Sequence, residues 1–163
     1  MSQNPSVEEL EQALRQAPGN APVRYLLGAT LASAGEYERA AEEMSVALRL
    51  QPDLHTARFQ LGLLYVTMGQ TQQAAEVWEM LEQLPPDSPL KLFKRGIEAL
   101  IRDDFMQCIA LLEQGIKGNK ENEPLNRDMT MVIESAVRAM ANSGDASTAE
   151  PLGVRTDFSL YDQ

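Results

Sequence analysis

Apolar and small residues along this chain fall into helical blocks separated by polar turns. The clearest block is Leu125, Met129, Val132, Ile133, Ala136, Val137 and Met140. Its spacings keep to one helical face, which predicts a helix over 125–141. Earlier blocks repeat. Gly28, Gly62 and Gly96 recur every 34 residues, and Leu27, Gly35 and Ala40-Ala41-Glu42 return as Leu61, Gly69 and Ala74-Ala75-Glu76. Leu50-Gln51-Pro52-Asp53 returns as Leu84-Pro85-Pro86-Asp87. Laying residues 21–54 over 55–88 gives about ten identities without a gap. A unit of this length cannot bury its apolar face alone, so neighbouring units must stack. Aromatic residues are only 6% of the chain, while the good helix formers Ala, Leu, Glu and Gln are frequent, so the stacked units are expected to be all-α.

The repeated residues resemble the tetratricopeptide repeat family. In the first unit the signature positions hold Leu27, Gly28, Leu31, Tyr37, Ala40, Met44, Ala47 and Pro52. In the second they hold Leu61, Gly62, Tyr65, Ala74, Trp78, Leu81 and Pro86. The resemblance implies a helix-turn-helix repeat solenoid wound as a right-handed superhelix. The small residues have a physical reason: helices A and B of a unit cross closely, and a large side chain at Gly28 or Ala40 would force them apart. Pro52 and Pro86 fit a unit boundary, because proline ends one helix and tolerates the start of the next.

A third unit is degenerate. Gly96, Ala99, Phe105, Cys108 and Leu112 keep the register, whereas Arg95 replaces an aliphatic residue and Lys120 stands where the closing proline would be. A helical pair is expected over 89–117, followed by a longer polar turn, 118–124. Residues 7–17 look like helix B of an incomplete unit, since Pro18 lies 34 before Pro52 and Leu10 and Ala13 take the places of Met44 and Ala47. The organisation expected is therefore a repeat domain over 1–142. It comprises an N-terminal half-repeat, units at about 21–54, 55–88 and 89–122, and a capping helix over 125–141. A flexible tail, 143–163, begins in small polar residues and carries Phe158, Leu160 and Tyr161.

The family's register implies which helix-A positions line the concave face. They are Pro22, Tyr25, Ala29, Ala32 and Ser33 in the first unit and Thr56, Phe59, Leu63, Val66 and Thr67 in the second. In the third they are Leu90, Phe93, Ile97, Leu100 and Ile101. Tyr25, Phe59 and Phe93 form an aromatic row at 34-residue spacing. Left open to water, such a row would be an apolar patch of the kind that marks an interaction site; the alternative is that each ring packs between neighbouring helices. The candidate groove residues are Tyr25, Ala29, Phe59, Leu63, Val66, Leu90, Phe93, Ile97 and Leu100. The charged clamp that some family members use for a C-terminal carboxylate is not expected, because its positions hold Tyr25, Ala29, Gln60 and Leu90, with only Lys94 suited to the role. An apolar peptide fits better. Three anchors at roughly 1.5–3 kcal/mol each, less about 2–5 kcal/mol for ordering the segment, suggest weak to micromolar binding.

A formal net charge of −10 argues against nucleic acid, since phosphate binding needs a basic footprint. No apolar run is long enough to span a membrane, and residues 1–10 lack the basic and apolar regions of a signal peptide. With one cysteine, a cytoplasmic location is expected. His55 falls at a unit boundary without partners for a metal, Cys108 takes the small-residue place of Ala40 and Ala74, and Asp103-Asp104 reads as a helix cap. No phosphate loop, catalytic triad or zinc-protease motif occurs, so no enzyme activity and no cofactor are expected.

The function expected is a non-enzymatic interaction module, an adaptor or chaperone binding a protein or peptide with an apolar segment. Length, acidity and three-unit layout are similar to the small chaperones of bacterial type III secretion, which hold hydrophobic translocator segments. The competing expectation is a self-assembling scaffold, a homodimer for instance, whose groove is filled by a second copy or by the chain's own tail.

Overall fold

The structure, a computed structural model, describes residues 4–143. The tail expected at 143–163 lies outside the described residues from residue 144 onward. Among the described residues there are eight α-helices and no strand: α1 (Val7–Gln16), α2 (Ala21–Ser33), α3 (Tyr37–Leu50), α4 (His55–Thr67), α5 (Thr71–Trp78), α6 (Pro89–Ile101), α7 (Phe105–Gly118) and α8 (Glu123–Ser143). They belong to two compact units, divided between Val77 and Trp78.

In the first unit, helices consecutive in sequence pack on one another from α1 to α4. Each start has a local cause. Ser6 caps α1 in a reciprocal capping box with Glu9. Asn20 caps α2 by accepting from the Val23 amide, and Pro22 occupies a first-turn position where its missing N–H costs nothing. The crossing of α2 and α3 depends on Gly28. A Cβ there would lie 2.7 Å from Met44 Cγ and 3.1 Å from the Ala40 carbonyl oxygen. The core closes around Leu27, Leu31, Met44 and Leu64, all essentially without exposure.

In the second unit α6 packs on α7 and α7 on α8. Gly96 repeats the role of Gly28: a Cβ there would lie 2.8 Å from Leu112 Cγ. The capping helix runs two residues past its expected end, and its start is fixed by Asn122, which accepts from the Leu125 amide. The polar turn before it is held by Asn119 and Asn126. Asn119 Nδ2 donates to Asn126 Oδ1 at 2.9 Å, and Asn126 Nδ2 donates to the Asn119 carbonyl at 2.9 Å.

Two departures from the repeat have physical explanations. Helix B of the second repeat does not stay α-helical: after Trp78 it tightens into a 3-10 turn, Glu79–Gln83. Pro85 and Pro86 remove the amides that the Leu81 and Glu82 carbonyls would use in an α-helix. Leu81 instead accepts from Leu84 at 3.2 Å, and Glu82 accepts from Lys91 Nζ at 2.6 Å. The second departure is Asp103. The turns between helices A and B place Gly35 at φ 81° and Gly69 at φ 75°, and in the third pair Asp103 holds the same left-handed conformation at φ 59°. Asp104, next to it, caps α7 by accepting from the Gln107 amide.

Replacing Asp103 by glycine removes the left-handed strain but adds freedom to the unfolded chain. A net gain of about 0.5 kcal/mol is expected, read as a higher urea midpoint; a lower midpoint contradicts the turn assignment.

Candidate functional site

Of the nine groove candidates, Phe59, Leu63, Val66, Phe93 and Ile97 are buried, while Tyr25, Ala29, Leu90 and Leu100 are partly exposed. The aromatic row is therefore not an open surface: Phe59 and Phe93 have 0% exposure. For Phe93 the cause is visible. Its ring covers Gly115 on α7, where an added Cβ would lie 2.5 Å from the ring. Gly115 stands in the register of Ala47 and Leu81, and its missing side chain makes room for the ring. That exchange of volume between α6 and α7 was not read from the sequence, although a glycine inside helix B was its available signal.

Lys94, the sole cation in a clamp position, is also committed. It is buried, with Nζ 2.6 Å from Glu82 Oε1 and 3.0 Å from Glu98 Oε1. Arg95 Nη2 reaches Glu82 Oε2 at 3.0 Å, and Lys91 Nζ lies 3.6 Å from the same oxygen. Glu82 thus pairs with three cations around the 3-10 turn, and Glu98 shares Lys94. Hydrogen bonds from Lys94 and Arg95 hold its carboxyl down at about 2, against partial desolvation. Arg95, out of place as a repeat residue, is explained by this cluster.

Arg24 and Arg58 stand 34 residues apart and act alike. Each sends Nη2 back to the carbonyl of the proline six residues earlier, Pro18 at 2.9 Å and Pro52 at 3.0 Å. Each also reaches 19 residues forward with Nη1, Arg24 to the Glu43 carboxylate at 2.7 Å and Arg58 to the Val77 carbonyl at 3.3 Å. These arginines tie a helix A to the preceding turn and to its own helix B.

Beside Arg58 lies an open cleft of about 440 Å³ between α3, α4 and α5. Ser45, Leu48 and Arg49 line it from α3, Arg58, Leu61 and Tyr65 from α4, and Val77 from α5, together with Gln73 and Glu76. None of the nine groove candidates lines it.

Two singular residues, Cys108 and His55, lie apart from this cleft. Cys108 is fully buried, and burial, assisted by Asp104, pushes its thiol up to about 11, far from a reactive thiolate. His55 opens α4 with Nδ1 enclosed and without a hydrogen-bond partner. Among the described residues no three His, Cys, Asp or Glu side chains gather as a metal site, and no helix is long and apolar enough to cross a membrane.

Residues 7–60 match the family model described as tetratricopeptide repeat, which takes in α1, α2, α3 and the first half of α4. Over that third of the chain the sequence is similar to the tetratricopeptide repeat family. No curated protein matches it. Repeats of this family generally mediate protein–protein interaction and are non-enzymatic modules.

Glu82 sets a pH dependence. Its carboxyl is lower in the folded chain than its ordinary 4.5, so its contribution is complete above about pH 4.5 and is lost as pH falls towards 2. Asp128 acts oppositely: burial, offset in part by Arg127, raises it from 3.8 to about 6, so its protonation adds stability as pH falls through that range. Comparing wild type with Glu82→Gln cancels the Asp128 contribution. Because the Glu82 side chain is 38% exposed, solvent screens these pairs, and the variant is expected to be less stable at pH 7 by only about 1 kcal/mol, with the difference shrinking between pH 4.5 and 2. Urea midpoints across that range test this, and a pH-independent difference contradicts it.

Proposed function

We propose that this chain is a non-enzymatic adaptor or chaperone that binds apolar segments of a partner polypeptide at partly exposed helix-A positions within each of its two compact units. The observation that carries this reading is the partial exposure of Tyr25 and Ala29, one helical turn apart on α2. A tyrosine combines a large apolar ring with a polar tip, and such side chains are enriched where proteins meet. Leu90 and Leu100 offer partly exposed apolar surface on α6. The buried members, Phe59, Leu63, Val66, Phe93 and Ile97, act as support: they fix the helices whose outer positions meet the partner.

With fewer open anchors than the sequence suggests, affinity is modest. A partly covered side chain contributes less than the roughly 1.5–3 kcal/mol of a fully buried one. Weak binding suits a protein that must release its client, and a location in the cytoplasm belongs to the same proposal.

The test is affinity capture from the source cells with wild type, Tyr25→Glu and Leu100→Glu, each first checked for unchanged helicity. Each variant is expected to lose its captured polypeptides by about tenfold, since a carboxylate would be desolvated against apolar surface. An unchanged set of captured proteins contradicts the proposal. Capture of the chain's own copies alone, with light scattering showing a dimer, replaces it with self-assembly.

A further inference from the structure

The two repeat-related arginines differ in one respect. Arg24 has a carboxylate, Glu43, and the two form an ion pair at 2.7 Å. The residue in Glu43's register in the next repeat is Val77, so Arg58 finds only a backbone carbonyl there. Arg58 is 8% exposed and has no ion pair among the described residues. Its Nε is enclosed without a hydrogen-bond partner, as Arg24 Nε also is. Burial without a neutralising anion lowers its pKa.

This uncompensated cation lines the cleft between α3, α4 and α5, directly beside Val77. Arg49, exposed and likewise without an ion pair among the described residues, lines the same cleft. The one carboxylate there is Glu76, exposed, which accepts from Gln72 Nε2 at 3.2 Å. The cleft therefore holds two cations against one anion on a chain whose net charge is −10. Its volume of about 440 Å³ is that of a small-ligand pocket.

We propose that this cleft is a second binding site, which takes an acidic side chain, glutamate or aspartate, of an extended peptide, its carboxylate pairing with Arg58 in the place that Glu43 fills for Arg24. Arg49 supplies the second positive charge, and Leu48, Leu61 and Val77 meet the aliphatic part of the acidic side chain. The site is separate from the helix-A positions of the preceding section. On α4, Arg58, Leu61 and Tyr65 face away from Phe59, Leu63 and Val66, since each residue advances about 100° around the helix. It stands or falls independently of that reading.

Val77→Glu is the informative variant, because it builds the missing carboxylate into the chain and should strengthen the fold. The full chain, wild type and variant, is titrated by nuclear magnetic resonance with four probes. These are acetyl-Gly-Glu-Gly-amide, its glutamine counterpart, acetyl-triglycine with a free C-terminal carboxylate, and inorganic phosphate. In the wild type, the glutamate peptide is expected to shift the Arg58 Nε–H and the amides of Arg49 and Val77, binding about tenfold more tightly than the glutamine peptide. In Val77→Glu these shifts are expected to vanish while the unfolding temperature rises. Equal binding of the glutamine peptide, preference for the free terminus or for phosphate, no shift at the cleft, or undiminished binding to Val77→Glu each overturns the proposal. Tyr25→Glu leaves this titration unchanged, so failure of the first site and failure of this one are distinguishable.

Discussion

Everything in this fold depends on how closely two helices of a pair approach at a residue without a side chain. Gly28 sits against Met44 and the Ala40 carbonyl, and Gly96 against Leu112. Packing falls off within fractions of an ångström, so such a contact specifies the crossing as well as stabilising it. Once the crossing is set, the turn must be short and left-handed. The chain supplies Gly35, Gly69 and, with some strain, Asp103. The next helix is then presented at a fixed place, where Arg24 and Arg58 hold it to the preceding turn.

Charge acts around this apolar frame as local compensation. Pro85 and Pro86 deprive two carbonyls of amide donors; Lys91 serves one, and Glu82 pairs with the cations gathered there. The same logic isolates Arg58. It keeps the backbone contacts of its repeat but lacks the carboxylate, because Val77 replaces the glutamate that the first unit carries. A repeat protein offers an internal control of this kind: a position altered in one unit can be compared with its unaltered equivalent.

Most of the fold was legible in the sequence, because close crossings and left-handed turns demand particular residues at fixed intervals. The glycines, the helix-closing prolines and the apolar face of α8 all announced themselves by spacing. The candidate site was less legible. A register assigns positions to a face, but whether a ring on that face is open depends on volume elsewhere, as Gly115 decides for Phe93. Lys94 likewise looked available in one dimension and is enclosed by Glu82 and Glu98 in three. The 3-10 turn was signalled by consecutive prolines, but its consequences for Lys91 and Glu82 needed the geometry.

Native-state amide hydrogen exchange of the full chain tests the central claim most directly, namely that the glycine crossings hold the rest together. The slowest amides in each unit are expected beside the crossings, at Leu31 and Met44 in the first and at Ala99 and Leu112 in the second, because opening there requires the whole helix pair to separate. If these amides exchange as fast as those of α1 and the last turn of α8, the crossings are not what the structure depends on.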